Sequence, residues 1–238
     1  MDAKGQNKSY VIPQPPQAAI PVAGTDKYFP VRRLWCVGRN YVEHIKEMGQ
    51  DVREPPFFFS KPADAIVPDG GTAPYPSLTK DMHHEVELVV ALKSGGRNIK
   101  TEKALDCIYG YGVGIDLTRR DLQIASRDIK RPWEIGKAFD HSAPCGPLKP
   151  ASEIGHPSKG RITLKVNGKV RQDGDLNQMI WNVPEIISKL SEMVELAAGD
   201  IIMTGTPSGV AATVAGDRIE CEVEGVGKLG VTIGQPLK

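Results

Sequence analysis

The pattern of apolar and polar positions predicts many short strands and few helices. Val31–Val37 reads as a strand. A helix follows, with Asn40 as N-cap and Glu43 in the capping-box position, and Tyr41, Ile45 and Met48 forming its apolar stripe. Phe57–Phe59 is a short apolar run that ends in a turn, and residues 68–80 read as loop from their Gly, Pro and Ser content. In Glu85–Leu92, the residues Val86, Leu88, Val90 and Leu92 share one face, while Glu85, Glu87, Val89 and Ala91 share the other. Tyr111–Leu117 alternates again, with Gly112, Gly114 and Asp116 on one face; glycines there predict close approach by a ligand or another backbone. Thr118 is expected to open a helix with Asp121 in its capping box.

The second half carries hairpin signals. Asn167-Gly168 between Ile162–Val166 and Lys169–Arg171 predicts a type I′ turn. A helix over Pro184–Val194 places Ile186, Ile187, Leu190 and Val194 on one face. A turn at Ala198-Gly199-Asp200 leads into strand Ile201–Thr204, then a Gly-Thr-Pro-Ser-Gly loop at 205–209, and strands near 218–223 and 228–233. The fold class is α+β and β-rich. Residues 1–28, polar and rich in Pro, read as an extended arm, and 29–238 as a single domain.

Composition narrows the partners. Thirty Lys and Arg oppose twenty-nine Asp and Glu, which lacks the basic excess expected of a nucleic-acid binder. Cys36, Cys107, Cys145 and Cys221 form no C-x-x-C pair, so a zinc cluster is not expected and the chain reads as reduced and cytoplasmic. No apolar stretch has the length of a membrane span or of a signal-peptide core.

Three familiar motifs fail on context. Gly225–Gly230 matches G-x-G-x-x-G but has only a short tail after it, too little for a βαβ unit. The run from Asp173 begins like a calcium loop, but Gln178 stands where its glycine belongs and Pro184 where its glutamate belongs. His84-Glu85 is followed by Leu88 where a zinc protease needs histidine.

The chemistry concentrates elsewhere. Glu85 and Glu87 lie about 6.5–7 Å apart on one face of a strand whose other face is apolar. Two carboxylates held there repel and lose solvation, costs that a hard divalent cation such as Mg2+ or Mn2+ removes. Asp116, flanked by glycines, is the best third ligand. A solvated strand face with unpaired glutamates is the plainer alternative. His44 and Glu47 are neighbours on a helix edge, suited to a base and its orienting carboxylate, though a surface pair has the same spacing. Lys137, in an apolar stretch, is a candidate to hold developing negative charge, and the 205–209 loop offers backbone N–H groups to an anion.

Taken in order, these segments resemble the fumarylacetoacetate hydrolase family. The resemblance rests on Gly38-Arg-Asn-Tyr-Val-Glu-His44-Ile-Lys-Glu47, Phe59-Ser-Lys61-Pro62, His84-Glu-Val-Glu87 and Gly114-Ile-Asp116-Leu-Thr-Arg-Arg-Asp121, continued by Lys137-Ala-Phe-Asp140, Leu164–Gly168 and Thr204–Gly209. It implies a mixed β-sandwich roll, a homodimer, and one Mg2+ or Mn2+ on Glu85, Glu87 and Asp116. It further implies that His44 and Glu47 activate water, that Lys137 stabilises negative charge, and that Arg39, Tyr41, Lys61 and Thr206 contact substrate. Within the family the chain is most similar to fumarylpyruvate hydrolases and acylpyruvases, through residues 29–33, 55–59 and 131–137. The implied activity is metal-dependent hydrolysis of a C–C bond in a β-diketo acid, fumarylpyruvate giving fumarate and pyruvate, as in gentisate breakdown. Decarboxylation of oxaloacetate or tautomerisation of a 2-oxo acid on the same metal site is the alternative, and a non-enzymatic binding protein is a third.

Overall fold

The structure, a computed structural model, describes residues 10–41 and 54–237. Its centre is an eight-stranded mixed sheet. The strands are β1 (Arg33–Gly38), β2 (Phe57–Lys61), β3 (Ile66–Pro68), β4 (Val86–Leu92), β5 (Ile108–Ile115), β6 (Ala143–Cys145), β7 (Lys149–Pro150) and β8 (Asp200–Met203). Their order is β2-β1-β8-β4-β5-β6-β3, with β7 also paired to β5. Pairs β1–β8 and β3–β6 are parallel, and the others are antiparallel.

A five-stranded sheet runs Lys169–Asp175, Arg161–Val166, Arg218–Val223, Gly227–Gly234 and Thr72–Pro74. It shares one apolar core with the central sheet: Leu88, Val90 and Val113 pack in the same cluster as Ile162, Leu164, Ile219 and Val231. The other face of the central sheet carries Leu34, Cys36, Val89, Ala91, Ile201 and Met203, which cluster with Ile20 and Phe29. Strand β4 is therefore buried on both faces along its whole length. A strand in that position is normally a continuous apolar run, so Glu87 within it needs partners.

The described helices follow local sequence. Helix α3 (Val183–Met193) has the Asn182/Glu185 capping box with Pro184 in its first turn, and buries Ile186, Ile187 and Leu190. Helix α1 (Arg120–Asp128) and helix α2 (Glu134–Lys137) stand together beside the open end of the central sheet. The predicted hairpin turn is present, with positive φ at Asn167 and Gly168.

Several expectations change. Thr118 does not open a helix: Thr118–Arg119 pairs with Met82–His83, and α1 starts at Arg120. The Thr118 hydroxyl is committed to the Asp116 carbonyl and to Lys137, so it is not available as a cap. The loop over 68–80 contains Thr72–Pro74, whose Ala73 is buried where that strand runs parallel to the chain's last strand. Within the stretch expected as an arm, residues 10–16 are exposed, but Ala19–Pro21 pairs with Tyr28–Pro30 and buries Ile20. The crowding at Gly114 comes from side chains: a Cβ there would lie 2.6 Å from Met203 Cε and 2.7 Å from Val89 Cγ2. The helix expected after Asn40 falls on residues 42–53 and lies outside the described residues, as do His44 and Glu47. All four cysteines are buried and unbridged. Among the described residues no helix is long and apolar enough to cross a membrane.

Candidate metal centre and substrate cleft

Glu85, Glu87 and Asp116 meet at the floor of a cleft, each offering a carboxylate oxygen within 4.8 Å of the others. Antiparallel pairing produces this arrangement. Glu87 lies opposite Gly114 in the β4–β5 ladder, and the Asp116 N–H donates to the Glu85 carbonyl at 2.8 Å. Exposures of 6%, 2% and 1% leave these acids almost no solvent.

Three cations answer two of these carboxylates, Glu85 and Asp116. Lys137 Nζ donates to Glu85 Oε2 at 2.8 Å, Asp116 Oδ2 at 2.6 Å and Thr118 Oγ1 at 2.7 Å. Lys61 Nζ sits 2.8 Å from Asp116 Oδ1 while donating to the carbonyls of Leu117 at 2.9 Å and Lys137 at 2.5 Å. Arg120 bonds Glu85 Oε1 and donates to Gln123 Oε1 at 2.6 Å. The 205–209 loop does offer a backbone N–H to an anion, and the anion is the protein's own: Gly205 N–H donates to Glu87 Oε2 at 2.6 Å.

The charges divide unequally. Burial pushes the Glu85 carboxyl up, but Lys137 and Arg120 more than reverse it and hold it below the usual carboxylate range. Glu87 is driven well above that range by burial, Asp116 and Glu85, with the Gly205 N–H and Lys137 opposing. Lys137 stays charged: burial lowers its pKa, and Asp116 and Glu85 raise it further than that. Cys36 is raised well above its ordinary value, first by burial and then by Asp116, so it is no thiolate nucleophile.

The donor set fits a hard divalent cation. It is all carboxylate oxygen, and Asp116 Oδ1 is buried without a hydrogen bond, its Lys61 contact being an ion pair of bent geometry. An added divalent ion leaves the floor with excess positive charge, which an anionic ligand would offset.

The cleft, about 580 Å³ with its mouth, is lined further by Gly38, Arg39, Phe59, Ile124, Arg127, Trp133 and Thr206. Arg120, Gln123, Ile124 and Arg127 follow the i, i+3, i+4, i+7 spacing of one helix face, so α1 forms a wall. Arg39 has φ 55°, and its guanidinium lies 5.9 Å from the Phe57 ring centre and 5.8 Å from that of Trp133. Burial and the neighbouring Arg127 guanidinium lower its pKa. Gly38 permits this arrangement, because a Cβ there would lie 2.0 Å from the Phe57 ring.

Of the residues expected at the site, Glu85, Glu87, Asp116, Lys137, Arg39 and Thr206 line this cleft. Lys61 lies beneath it, fully buried against Asp116. Tyr41 is buried and bridges to Met179 without lining the cleft. Sequence reasoning missed Arg120, Gln123 and Arg127, although their spacing was a readable signal. It also gave Asn40 only a capping role. Asn40 donates to the Thr204 carbonyl at 2.8 Å and accepts from Trp181 N–H at 2.8 Å, which holds the 205–209 loop in place.

Comparison with known proteins agrees with this geometry. The family model described as fumarylacetoacetate (FAA) hydrolase C-terminal matches residues 33–234. A fumarylpyruvate hydrolase of a Ralstonia species is 42% identical over 181 residues, 76% of this chain and 94% of the relative. The mitochondrial oxaloacetate tautomerase of Rattus norvegicus is 40% identical over 204 residues, 83% of this chain and 92% of the relative. The crystal structure of fumarylpyruvate hydrolase from Pseudomonas aeruginosa in complex with Mn2+ and pyruvate superposes with a TM-score of 0.93 at 49% identity, covering 95% of this chain and all of that one.

Proposed function

The chain belongs to the fumarylacetoacetate hydrolase family, and from that premise we propose that it is a metal-dependent hydrolase cleaving the C–C bond of fumarylpyruvate to give fumarate and pyruvate. One observation carries this reading. The buried acidic triad and the Arg39–Arg127 pair line a single cleft, with the triad deep and Arg127 at its partly exposed end. Fumarylpyruvate carries a 2-oxo acid at one end and a carboxylate at the other. Arg127 lies seven positions after Arg120, which is bound to Glu85, about 10 Å along the helix axis. An extended acylpyruvate with a terminal carboxylate spans roughly 9 Å at the length per bond of an extended chain.

Glu85, Glu87 and Asp116 would hold Mg2+ or Mn2+. When bound, the ion supplies Lewis-acid polarisation of the 2-oxo acid and stabilises its enolate. Thr206 at the deep end donates to the substrate carboxylate. Arg39 and Arg127 orient the far carboxylate, and Trp133 and Phe59 exclude water around the acyl chain. His44, with Glu47, takes a proton from water as its oxygen attacks the carbonyl remote from the pyruvyl end. Lys137 supplies positive charge toward the oxygen that becomes negative. The C–C bond then breaks, its electron pair passes to the CH2 carbon as pyruvate enolate, and the His44 proton returns to that carbon.

Tautomerisation or decarboxylation of oxaloacetate is the second reading. It is favoured by the 40% identity to an oxaloacetate tautomerase, and it needs the metal floor but not the outer arginines. The deciding experiment follows loss of fumarylpyruvate enol absorbance with Mg2+, beside parallel assays of oxaloacetate enol–keto exchange and CO2 release. Loss giving fumarate and pyruvate, abolished by EDTA, is the expected result. Inertness toward fumarylpyruvate with rapid turnover of oxaloacetate would move the function to the second reading.

A further inference from the structure

Gln172 stands out in the strand Lys169–Asp175, where it alone is fully buried. Packing by itself would be served by an apolar side chain, yet this amide uses its whole hydrogen-bonding capacity. Its Oε1 accepts from Val86 N–H at 3.1 Å and faces His84 Nδ1 at 3.0 Å. Its Nε2 donates to Thr206 Oγ1 at 2.8 Å and to the Pro207 carbonyl at 2.9 Å. The Val86 N–H can only donate and the Pro207 carbonyl can only accept, so the amide has one possible orientation.

That orientation passes on to Thr206. Its hydroxyl oxygen is occupied by an incoming N–H, so the hydroxyl proton must point elsewhere. Among the described residues no group accepts that proton, and Thr206 lines the cleft beside Glu87 and Gly205. The geometry points to Gln172 as a positioning residue that holds Thr206 as a hydrogen-bond donor, matched to the carboxylate oxygen of an anionic ligand. His84 completes the chain. It is buried with Nε2 unpartnered, and since Gln172 Oε1 can only accept, the ring proton sits on Nδ1, directed at Gln172. The inference rests on the reading of the cleft as a carboxylate site, but not on which reaction follows.

The test is a double-mutant cycle on the Mn2+-loaded full chain, read as oxalate affinity by titration calorimetry. Thr206→Val should weaken oxalate by about tenfold, the loss of one hydrogen bond to a charged acceptor. Gln172→Met should weaken it by a similar factor, and adding Gln172→Met to Thr206→Val should change nothing further. Mn2+ affinity, from titrations without oxalate, should stay as in the wild type. If Gln172→Met fails to fold, Gln172→Glu keeps the shape and the Oε1 that accepts from Val86 N–H and His84 Nδ1. It places an oxygen where Nε2 stood, drawing the Thr206 proton inward, and the same coupling is expected. Equal losses from the Gln172 change in both backgrounds would overturn the proposal, as would wild-type affinity in the Gln172 variant. If Thr206→Val alone leaves oxalate affinity intact, the carboxylate reading of this end of the cleft falls with it. A loss at Thr206 without one at Gln172 removes only the role of Gln172.

Discussion

Lys137 Nζ lies 2.6 Å from Asp116 Oδ2, so the amine and an acid of the candidate metal site share one buried hydrogen bond. Lys137 also bonds Glu85, so removing its charge leaves two buried carboxylates short of a partner. Breaking one side of a buried ion pair costs about 3–5 kcal/mol. Lys137→Met should destabilise the metal-free protein by about that amount. Saturating Mn2+ supplies positive charge to the same oxygens and should recover a large part of the loss. Denaturant unfolding of both proteins, with and without Mn2+, measures the difference. Equal destabilisation in both conditions would mean that the ion does not bind at these carboxylates.

Arg127 is predicted to select the substrate's far end. Arg127→Met keeps the helix face but removes one of the two guanidiniums at the cleft mouth. A partly exposed charge-assisted hydrogen bond is worth about 1–2 kcal/mol, roughly a tenfold effect. KM for fumarylpyruvate should therefore rise about tenfold, with kcat little changed. Acetylpyruvate, which lacks the second carboxylate, should be turned over as by the wild type. A matching loss on acetylpyruvate would show that Arg127 acts on the 2-oxo acid end or on folding.

Asp121 ties the 68–80 segment to α1 and should give stability a specific pH dependence. Its carboxylate accepts from Thr79 Oγ1 at 2.6 Å, Lys80 N–H at 3.1 Å and Leu122 N–H at 2.9 Å. Burial is the largest single influence and pushes its pKa up, but these hydrogen bonds together outweigh it and hold it below the ordinary aspartate value. A depressed folded-state pKa means stability that is fully present above the unfolded value, about 3.9. It is lost as pH falls through the lower, folded-state value. Asp121→Asn should cost about 1 kcal/mol at about pH 7, and the gap from wild type should close in acid. Unfolding free energies of the two proteins across that range test it. A gap that persists at the acid end would assign the effect to packing.

Much of this could be read from the chain, for identifiable reasons. Alternation placed Glu85 and Glu87 on one face, and the glycines around Asp116 marked a crowded neighbour, because a period of two fixes facing without tertiary information. Asn167-Gly168 and the Asn182/Glu185 box are local chemistry and appear in the fold as predicted. Thr118 misled because a hydroxyl that can cap a helix can equally bond the Asp116 carbonyl and Lys137, and only the long-range contact decides. Gln172 left no signal at all. Its neighbours in the strand are exposed, and its importance lies in residues 34 and 88 positions away.

Gly205 joins backbone conformation to the metal floor, and substitution there should affect both. Its φ of 96° is one that residues with a side chain rarely adopt, and a Cβ would lie 2.7 Å from Asn40 Cβ. Asn40 cannot yield cheaply, since its amide bonds Thr204, Trp181 N–H and the Trp181 carbonyl. Gly205→Ala should therefore destabilise the fold by about 1–3 kcal/mol. The same shift moves the N–H that bonds the carboxylate of Glu87, one of the residues offered to the candidate ion. Outer partners of metal ligands typically contribute about 10–100-fold in affinity, so Mn2+ binding should weaken within that range. Thermal unfolding of the metal-free protein reads the first effect, and Mn2+ titration well below the melting temperature reads the second. Lost stability with unchanged Mn2+ affinity would separate Glu87 from the ion and leave Gly205 a purely structural glycine.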